Sequence, residues 1–239
     1  MNEARDPIVR CRGISRRFHQ GEATIVALDD LDLDIAHGEF VSLSGPSGSG
    51  KTTLLNSIGG LDRPDAGQIT VAGRRLDQLG RGALAALRLH AIGFVFQAYN
   101  LVPVLTAEEN VGFVMQVQGV PAAQRRARAR AVLREVGLDD HAGRRPAELS
   151  GGQQQRVAVA RAIVSGPRLI LADEPTANLD SHSAAGLMAL FAQLNREHGT
   201  TFVIATHDPR IIACTRRRVE LVDGRIVRDR AQEPQPMQA

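Results

Sequence analysis

A chain of 239 residues, 43% of them hydrophobic, can build one large domain or a core carrying an inserted subdomain, and its apolar content excludes wholesale disorder. The formal charge of +3 is mild. It is weak evidence for a nucleic-acid partner, and attraction to an acidic membrane surface or to a nucleotide is equally allowed.

The chain opens on Met1 to Pro7, which lacks the apolar stretch of a signal peptide. No apolar run reaches the length of a membrane span. Cys11 and Cys214 stand far apart, in no metal-like spacing, and suit a reducing cytoplasm. Ile8 to Phe18 reads as a first strand and Gly21-Glu22 as a turn. Leu31, Leu33 and Ile35 then alternate with Asp30, Asp32 and Asp34, the period of a half-buried strand with a wet acidic face. Alternate residues along a strand spread apart, so the aspartates do not gather around a calcium ion. His37-Gly38 turns the chain into Glu39 to Ser44, a short apolar strand.

Next comes Gly45-Pro46-Ser47-Gly48-Ser49-Gly50-Lys51-Thr52, which fits G-x-x-x-x-G-K-[ST] between that strand and a helix opening at Thr53. A glycine-rich turn in this setting leaves backbone N–H groups pointing inward at the positive end of a helix, where they hold phosphate oxygens. Lys51 supplies a point charge for the outer phosphates and Thr52 a hydroxyl ligand for magnesium.

Gln68 to Leu76 reads as a short hairpin and Arg81 to His90 as a helix. Ile92 to Phe96 is a buried strand ending at Gln97. From Asn100 to about Leu149 the texture is helical. Thr106 and Glu109 have capping-box spacing, and Pro121 to Val136 forms a helix carrying Arg125, Arg126, Arg128, Arg130 and Arg134. No aromatic residue interleaves those arginines, so they read as a solvated helix surface. Strands return with Leu169 to Ala172, ending at Asp173-Glu174, and with Thr201 to Thr206, ending at His207. Between them Ser181 to His198 is a helix capped by Ser181. Val219 to Val227 is a hairpin about Asp223-Gly224. From Ala231 the polar, proline-containing tail (231–239) reads as disordered. The alternation of strands and helices around the phosphate loop gives an α/β fold with a largely parallel sheet and an added antiparallel layer.

Ligands of such sheets lie beyond the carboxyl ends of the strands, where Gln97, Asp173, Glu174 and His207 fall. Asp173 can hold magnesium opposite Thr52, and Glu174 can orient an attacking water. His207 can donate a ring N–H to a γ-phosphate. Gln97 can reach the metal through its amide oxygen or cap a loop. Ser150-Gly151-Gly152-Gln153 opens a second helix with a capping serine, a second anion-seeking terminus. Two such termini and one complete nucleotide site point to a two-fold dimer, in which each serine-glycine turn covers the other subunit's γ-phosphate.

Here the sequence resembles the ATP-binding-cassette (ABC) ATPases. Gly45 to Thr52 matches their Walker A motif, Leu149 to Gln153 the signature and Leu169 to Glu174 Walker B; Gln97, Asn178-Leu179-Asp180 and His207 match the Q-loop, D-loop and switch histidine. Val95 to Leu101, Thr106 to Val111 and Ala172 to Asp180 look like the lipoprotein-release and macrolide-export (LolD/MacB/FtsE-like) branch. The resemblance implies a RecA-like P-loop NTPase core (8–99 and 150–230) with a helical insert (about 100–149). It implies an ATPase using ATP and Mg²⁺, with nucleotide contacts from Gly45 through Thr53, Gln97 and Asp173. It further implies that Ser150, Gly151, Gly152 and Gln153 act in trans, that Asp180 links two sites of a homodimer, and that the region around Gln97 grips a membrane permease of FtsX-like type. Location at the cytoplasmic face of the membrane follows, and no nucleic-acid partner is expected. The alternative is a soluble ABC-type ATPase acting on DNA or chromosome structure, but those carry long coiled coils where this chain has a short insert.

Two departures stand out. Phe18 occupies the adenine-stacking position where the family usually has tyrosine; it keeps the ring face and loses the hydroxyl. Ala177 stands where the branch often has glycine, removing backbone freedom near the D-loop.

Overall fold

The computed structural model describes residues 6–21 and 23–237. Glu22, half of the turn expected at Gly21-Glu22, lies outside them. Strands β1 (Val9–Gln20) and β2 (Ala23–Ile35) form an antiparallel hairpin, and β3 (Phe40–Ser44) leads into helix α1 (Lys51–Ile58). Strands β4 (Ala66–Val71) and β5 (Arg74–Arg75) precede α2 (Arg81–Ala91) and β6 (Ile92–Val95). Helices α3 (Ala107–Val117), α4 (Ala122–Glu135) and α5 (Gly151–Ile163) follow. The chain continues through β7 (Leu169–Asp173), α6 (Ser181–His198), β8 (Thr201–Ala205), α7 (Pro209–Ala213), β9 (Arg217–Val222) and β10 (Arg225–Ala231).

Two sheets result. One is antiparallel, in the order β2-β1-β4-β5; the other runs β10-β9-β3-β8-β7-β6. In the second sheet β9, β3, β8, β7 and β6 are parallel, and β10 closes one edge as an antiparallel hairpin partner of β9. Its central strands are apolar on both faces because both are covered. Leu169 and Leu171 of β7 face a core shared with the antiparallel sheet, α1 and α2, while Ile170 and Ala172 face a core shared with α3 to α6. The period of two along one strand thus divides the interior.

The helical segment packs α3 and α4 onto α5 through Val111, Met115, Leu133 and Val157, all buried. Its capping box is formed: Thr106 Oγ1 accepts from the Glu109 amide, and the Glu109 carboxylate accepts from the Thr106 amide. On α4, Ala129 and Leu133 face inward while Arg126, Arg128, Arg130 and Arg134 are exposed; Arg130 pairs with Glu108 at 2.6 Å.

The structure corrects two expectations. The cap of α6 is Asp180, whose carboxylate accepts from the Ser183 amide at 2.9 Å, with Ser181 already inside the helix. The tail is also held. Gln232 Nε2 donates to the carbonyls of Ile212 (2.6 Å) and Thr215 (2.9 Å), the Gln235 amide to Ala213, and Met237 packs against the core. Polar composition signalled disorder, but one amide side chain finds carbonyls left open after α7. Gln238 and Ala239 lie outside the described residues. Among the described residues no helix is long and apolar enough to cross a membrane.

Candidate functional site

The loop between β3 and α1 is shaped by close backbone approach. Gly45 (φ +145°) passes the Leu221 carbonyl and Gly50 (φ +99°) the Ala27 carbonyl so closely that a Cβ at either would overlap the oxygen. The Ala27 carbonyl is available because β2 bulges there: Arg16 pairs with Leu28 and Arg17 with Val26, leaving Ala27 over. Thus the antiparallel layer braces the loop. The first helical bond of α1 runs from Leu54 N to Gly50 O. The amides of Gly50, Lys51, Thr52 and Thr53 donate to no acceptor among the described residues, so they form a cluster of donors at a helix N-terminus.

Lys51 is buried, and its ammonium donates to the carbonyls of Gly45 and Pro46 at 2.8 Å each, spanning the loop from inside. Burial lowers its pKa, and the charges of Glu174 and Asp173 oppose that shift. Thr52 Oγ1 donates to Asp173 Oδ1 at 3.1 Å. The Asp173 carboxyl is raised above its ordinary range by burial, with the neighbouring Glu174 charge adding to the effect. A partly buried carboxylate held in its costly charged form beside a hydroxyl is a hard oxygen donor set that fits a divalent cation such as Mg²⁺. Ser49 Oγ, buried in the loop without a partner, adds an unsatisfied polar atom.

Glu174 takes φ +44°, a region non-glycine residues rarely occupy. Its carboxylate accepts from His207 Nδ1 at 2.7 Å and from Thr206 Oγ1 at 3.1 Å. The ends of β3, β7 and β8 therefore bring together Lys51, Thr52, Asp173, Glu174 and His207. The remaining loop residues, Pro46, Ser47 and Gly48, are exposed beside them.

Other expected residues lie apart. The Gln97 side chain is exposed and bonds to none of the group; its backbone carbonyl accepts from Asn178 Nδ2 at 3.0 Å. The Ser150 turn caps α5 reciprocally: Ser150 Oγ accepts from the Gln153 amide, and Gln153 Oε1 from the Ser150 amide. The Gly151 and Gly152 amides donate to no acceptor among the described residues. This turn packs near Tyr99 and Ser183, and among the described residues no hydrogen bond joins it to the Gly45–Thr52 loop. Ala177 is not among the positive-φ residues, so the lost glycine freedom costs nothing there. Phe18 is 39% exposed near the turn end of the β1–β2 hairpin, which rules out a core role for its ring.

Sequence reasoning missed Thr206, which orients Glu174, and Gln155, whose amide donates to the Pro175 carbonyl at 2.7 Å just after the carboxylate pair. Thr206 carried a signal in its place beside His207. Gln155 carried none, since its role depends on α5 packing under β7.

Fold and site together define a P-loop nucleotide-binding ATPase cassette. The family model described as ABC transporter matches residues 28–177, and the chain belongs to that family. It is 51% identical over 230 residues to the macrolide export ATP-binding/permease protein MacB 1/2 of Paracoccus denitrificans, covering 96% of this chain and 34% of that protein. The pyoverdine export ATP-binding/permease protein PvdT of Pseudomonas syringae is 46% identical, over 98% of this chain and 36% of its own length. The chain therefore spans little more than a third of these relatives. Among solved structures, the dimeric cassette MJ0796 in a post-hydrolysis state with ADP and Pi matches with TM-score 0.88 and 41% identity, over 95% of this chain and all of that one.

Proposed function

We propose that this chain is the ATP-binding and hydrolysing part of a membrane exporter, driving a MacB-like or FtsX-like permease by ATP-dependent dimerisation. The observation that carries the reading is the convergence of Lys51, Thr52, Asp173 and the Glu174–His207 pair on one set of strand ends. The amides of Gly50 to Thr53 and the Lys51 ammonium bind the phosphates. Thr52, Asp173 and Gln97 would hold Mg²⁺, which would supply positive charge to offset that of the phosphates. Glu174 accepts a hydrogen bond from the attacking water and aligns it with the γ-phosphorus. His207 exchanges its bond to Glu174 for one to a γ-phosphate oxygen. Phe18 stacks on the base.

The second helix terminus, at Ser150 to Gln153, completes the site from another copy. Its unbonded amides and its separation from the loop in the same chain support this reading. A γ-phosphate touching the partner's turn only in the closed dimer shifts the balance toward closure, and Asp180 lies where the two sites communicate. Exposed Val104, Phe113 and Val117 on the helical segment support docking of a permease there, and the proposed location is the cytoplasmic face of the membrane that holds it.

The test uses Glu174→Gln with saturating Mg·ATP in size-exclusion chromatography with light scattering. The reading predicts lost turnover and an ATP-dependent dimer. A monomer with intact turnover refutes it.

A further inference from the structure

The functional reading leaves Arg16 without a task. It lies two residues before Phe18 on β1, and such residues share a strand face. Its guanidinium carbon stands over the Phe18 ring, 4.7 Å from the centroid. Three hydrogen bonds fix it there. Nε donates to Asp62 Oδ2 (2.9 Å), Nη2 to Asp62 Oδ1 (2.8 Å) and Nη1 to Asp65 Oδ1 (2.7 Å). The other Asp65 oxygen accepts from the Arg17 amide at 2.7 Å, and the Asp65 amide donates to the Ser15 carbonyl. The guanidinium fork is therefore clamped by two carboxylates, Asp65 being itself tied to the strand and Asp62 held to the end of α1 through its amide bond to the Asn56 carbonyl.

One face of the Phe18 ring is thus covered by a fixed cation, while the residue as a whole stays 39% exposed. Its cross-strand partner Ile25 and the adjacent Val26 are also exposed, making an apolar arm two residue pairs along from the bulge that braces the phosphate loop. Asp62 and Asp65 come from the segment following α1, the helix whose first residues are Lys51 and Thr52. Arg16 therefore ties the ring to the same frame that carries the phosphate-binding groups.

We propose that Arg16 is a positioning residue for the nucleotide base: held by Asp62 and Asp65, it fixes the Phe18 ring from behind and presents the opposite face to a purine. The inference rests on the reading of Phe18 as the base-stacking residue. Fixing the ring before binding removes its ordering from the cost of association. A cation on one face also draws π-density toward itself and away from the face offered to the base.

The test compares ATP with inorganic tripolyphosphate, which lacks the base, by isothermal titration calorimetry on the folded chain in Mg²⁺. Arg16→Met keeps an apolar stem and removes the charge and the fork. It is expected to weaken ATP about five-fold and to leave tripolyphosphate unchanged. Phe18→Ala is expected to weaken ATP about ten-fold with tripolyphosphate again unchanged, and the double variant to match Phe18→Ala alone. Asp62→Asn, which loosens the clamp and leaves the charge, is the second variant should Arg16→Met not fold; an ATP-only loss of about two-fold is expected. Equal loss for both ligands in the Arg16 or Asp62 variant would show a general structural role and overturn the proposal. An effect of Phe18→Ala with none from Arg16→Met or Asp62→Asn overturns it and leaves the stacking role standing. No effect of Phe18→Ala on ATP removes the stacking role and the proposal together.

Discussion

Gly50 is where the phosphate loop meets the antiparallel layer, and Gly50→Ala tests whether that contact sets the loop's shape. Its φ of +99° is one that L residues rarely adopt, and a Cβ there overlaps the Ala27 carbonyl oxygen and stands 3.2 Å from Leu28 Cδ2. The control is Gly48→Ala, at φ +80° with nothing within 4 Å of its Cβ. Both changes incur backbone strain of about 1–2 kcal/mol. Only Gly50→Ala adds the cost of forcing atoms into filled space, about 1–3 kcal/mol. The stiffer unfolded chain gives back about 0.4–1 kcal/mol in both and cancels from the difference. For a chain of this size each kcal/mol moves Tm by about 2–4 °C. The two variants should therefore differ by roughly 2–12 °C in thermal unfolding without nucleotide, Gly50→Ala being the lower. Equal Tm values would refute the reasoning, because the bulge at Ala27 would then not constrain the loop.

Asp173→Asn should lower Mg²⁺-dependent turnover by on the order of 100-fold or more, measured as phosphate release. Because the folded-state carboxyl is raised by burial, its ionised form costs stability, and that cost builds as pH rises from the ordinary value of 3.8 and is complete above the raised one. In the absence of nucleotide and metal, Asp173→Asn should thus melt a few degrees above the parent at neutral pH, the effect being limited by solvent at the open side of the site. The gap should close as pH falls below the ordinary value of 3.8, where the carboxyl is protonated in both the folded and the unfolded chain. Truncation after Ala231 removes the bonds of Gln232 and Gln235 to the end of α7 and the packing of Met237. It should lower Tm by roughly 5 °C, read by circular dichroism, whereas a tail without contacts would change nothing.

What the sequence disclosed depended on whether the physics was local. The Thr106 and Ser150 capping boxes and the Asp223-Gly224 turn, with φ of +48° and +76°, are encoded within a few residues, and all form. The phosphate loop was legible because its glycines and lysine are contiguous. Asp173, Glu174 and His207 were legible as polar residues ending apolar strands, although their 2.7 Å pairing depends on β7 lying beside β8, a long-range fact. The strand order β10-β9-β3-β8-β7-β6 has no local signal at all. Helix α7 is too short for periodicity to reveal. Asp180 outcompeted Ser181 as a cap because the carboxylate, one residue earlier, reaches both the Ser183 amide and its hydroxyl. The Arg16 clamp joins residues 46 and 49 positions apart, and nothing in either segment announces it.

The central claim is that one chain supplies the phosphate loop and another the Ser150 turn. Glu174→Gln and Ser150→Arg are each expected to be inactive alone. In a mixed dimer one site carries both changes and the other carries neither. The decisive measurement is ATP hydrolysis after mixing the two variants in equal amounts before ATP is added. Random pairing makes half the dimers mixed, each with one intact site, so activity should recover to about a quarter of the parent's. No recovery, with mixed dimers demonstrated by mass spectrometry, would contradict the composite site.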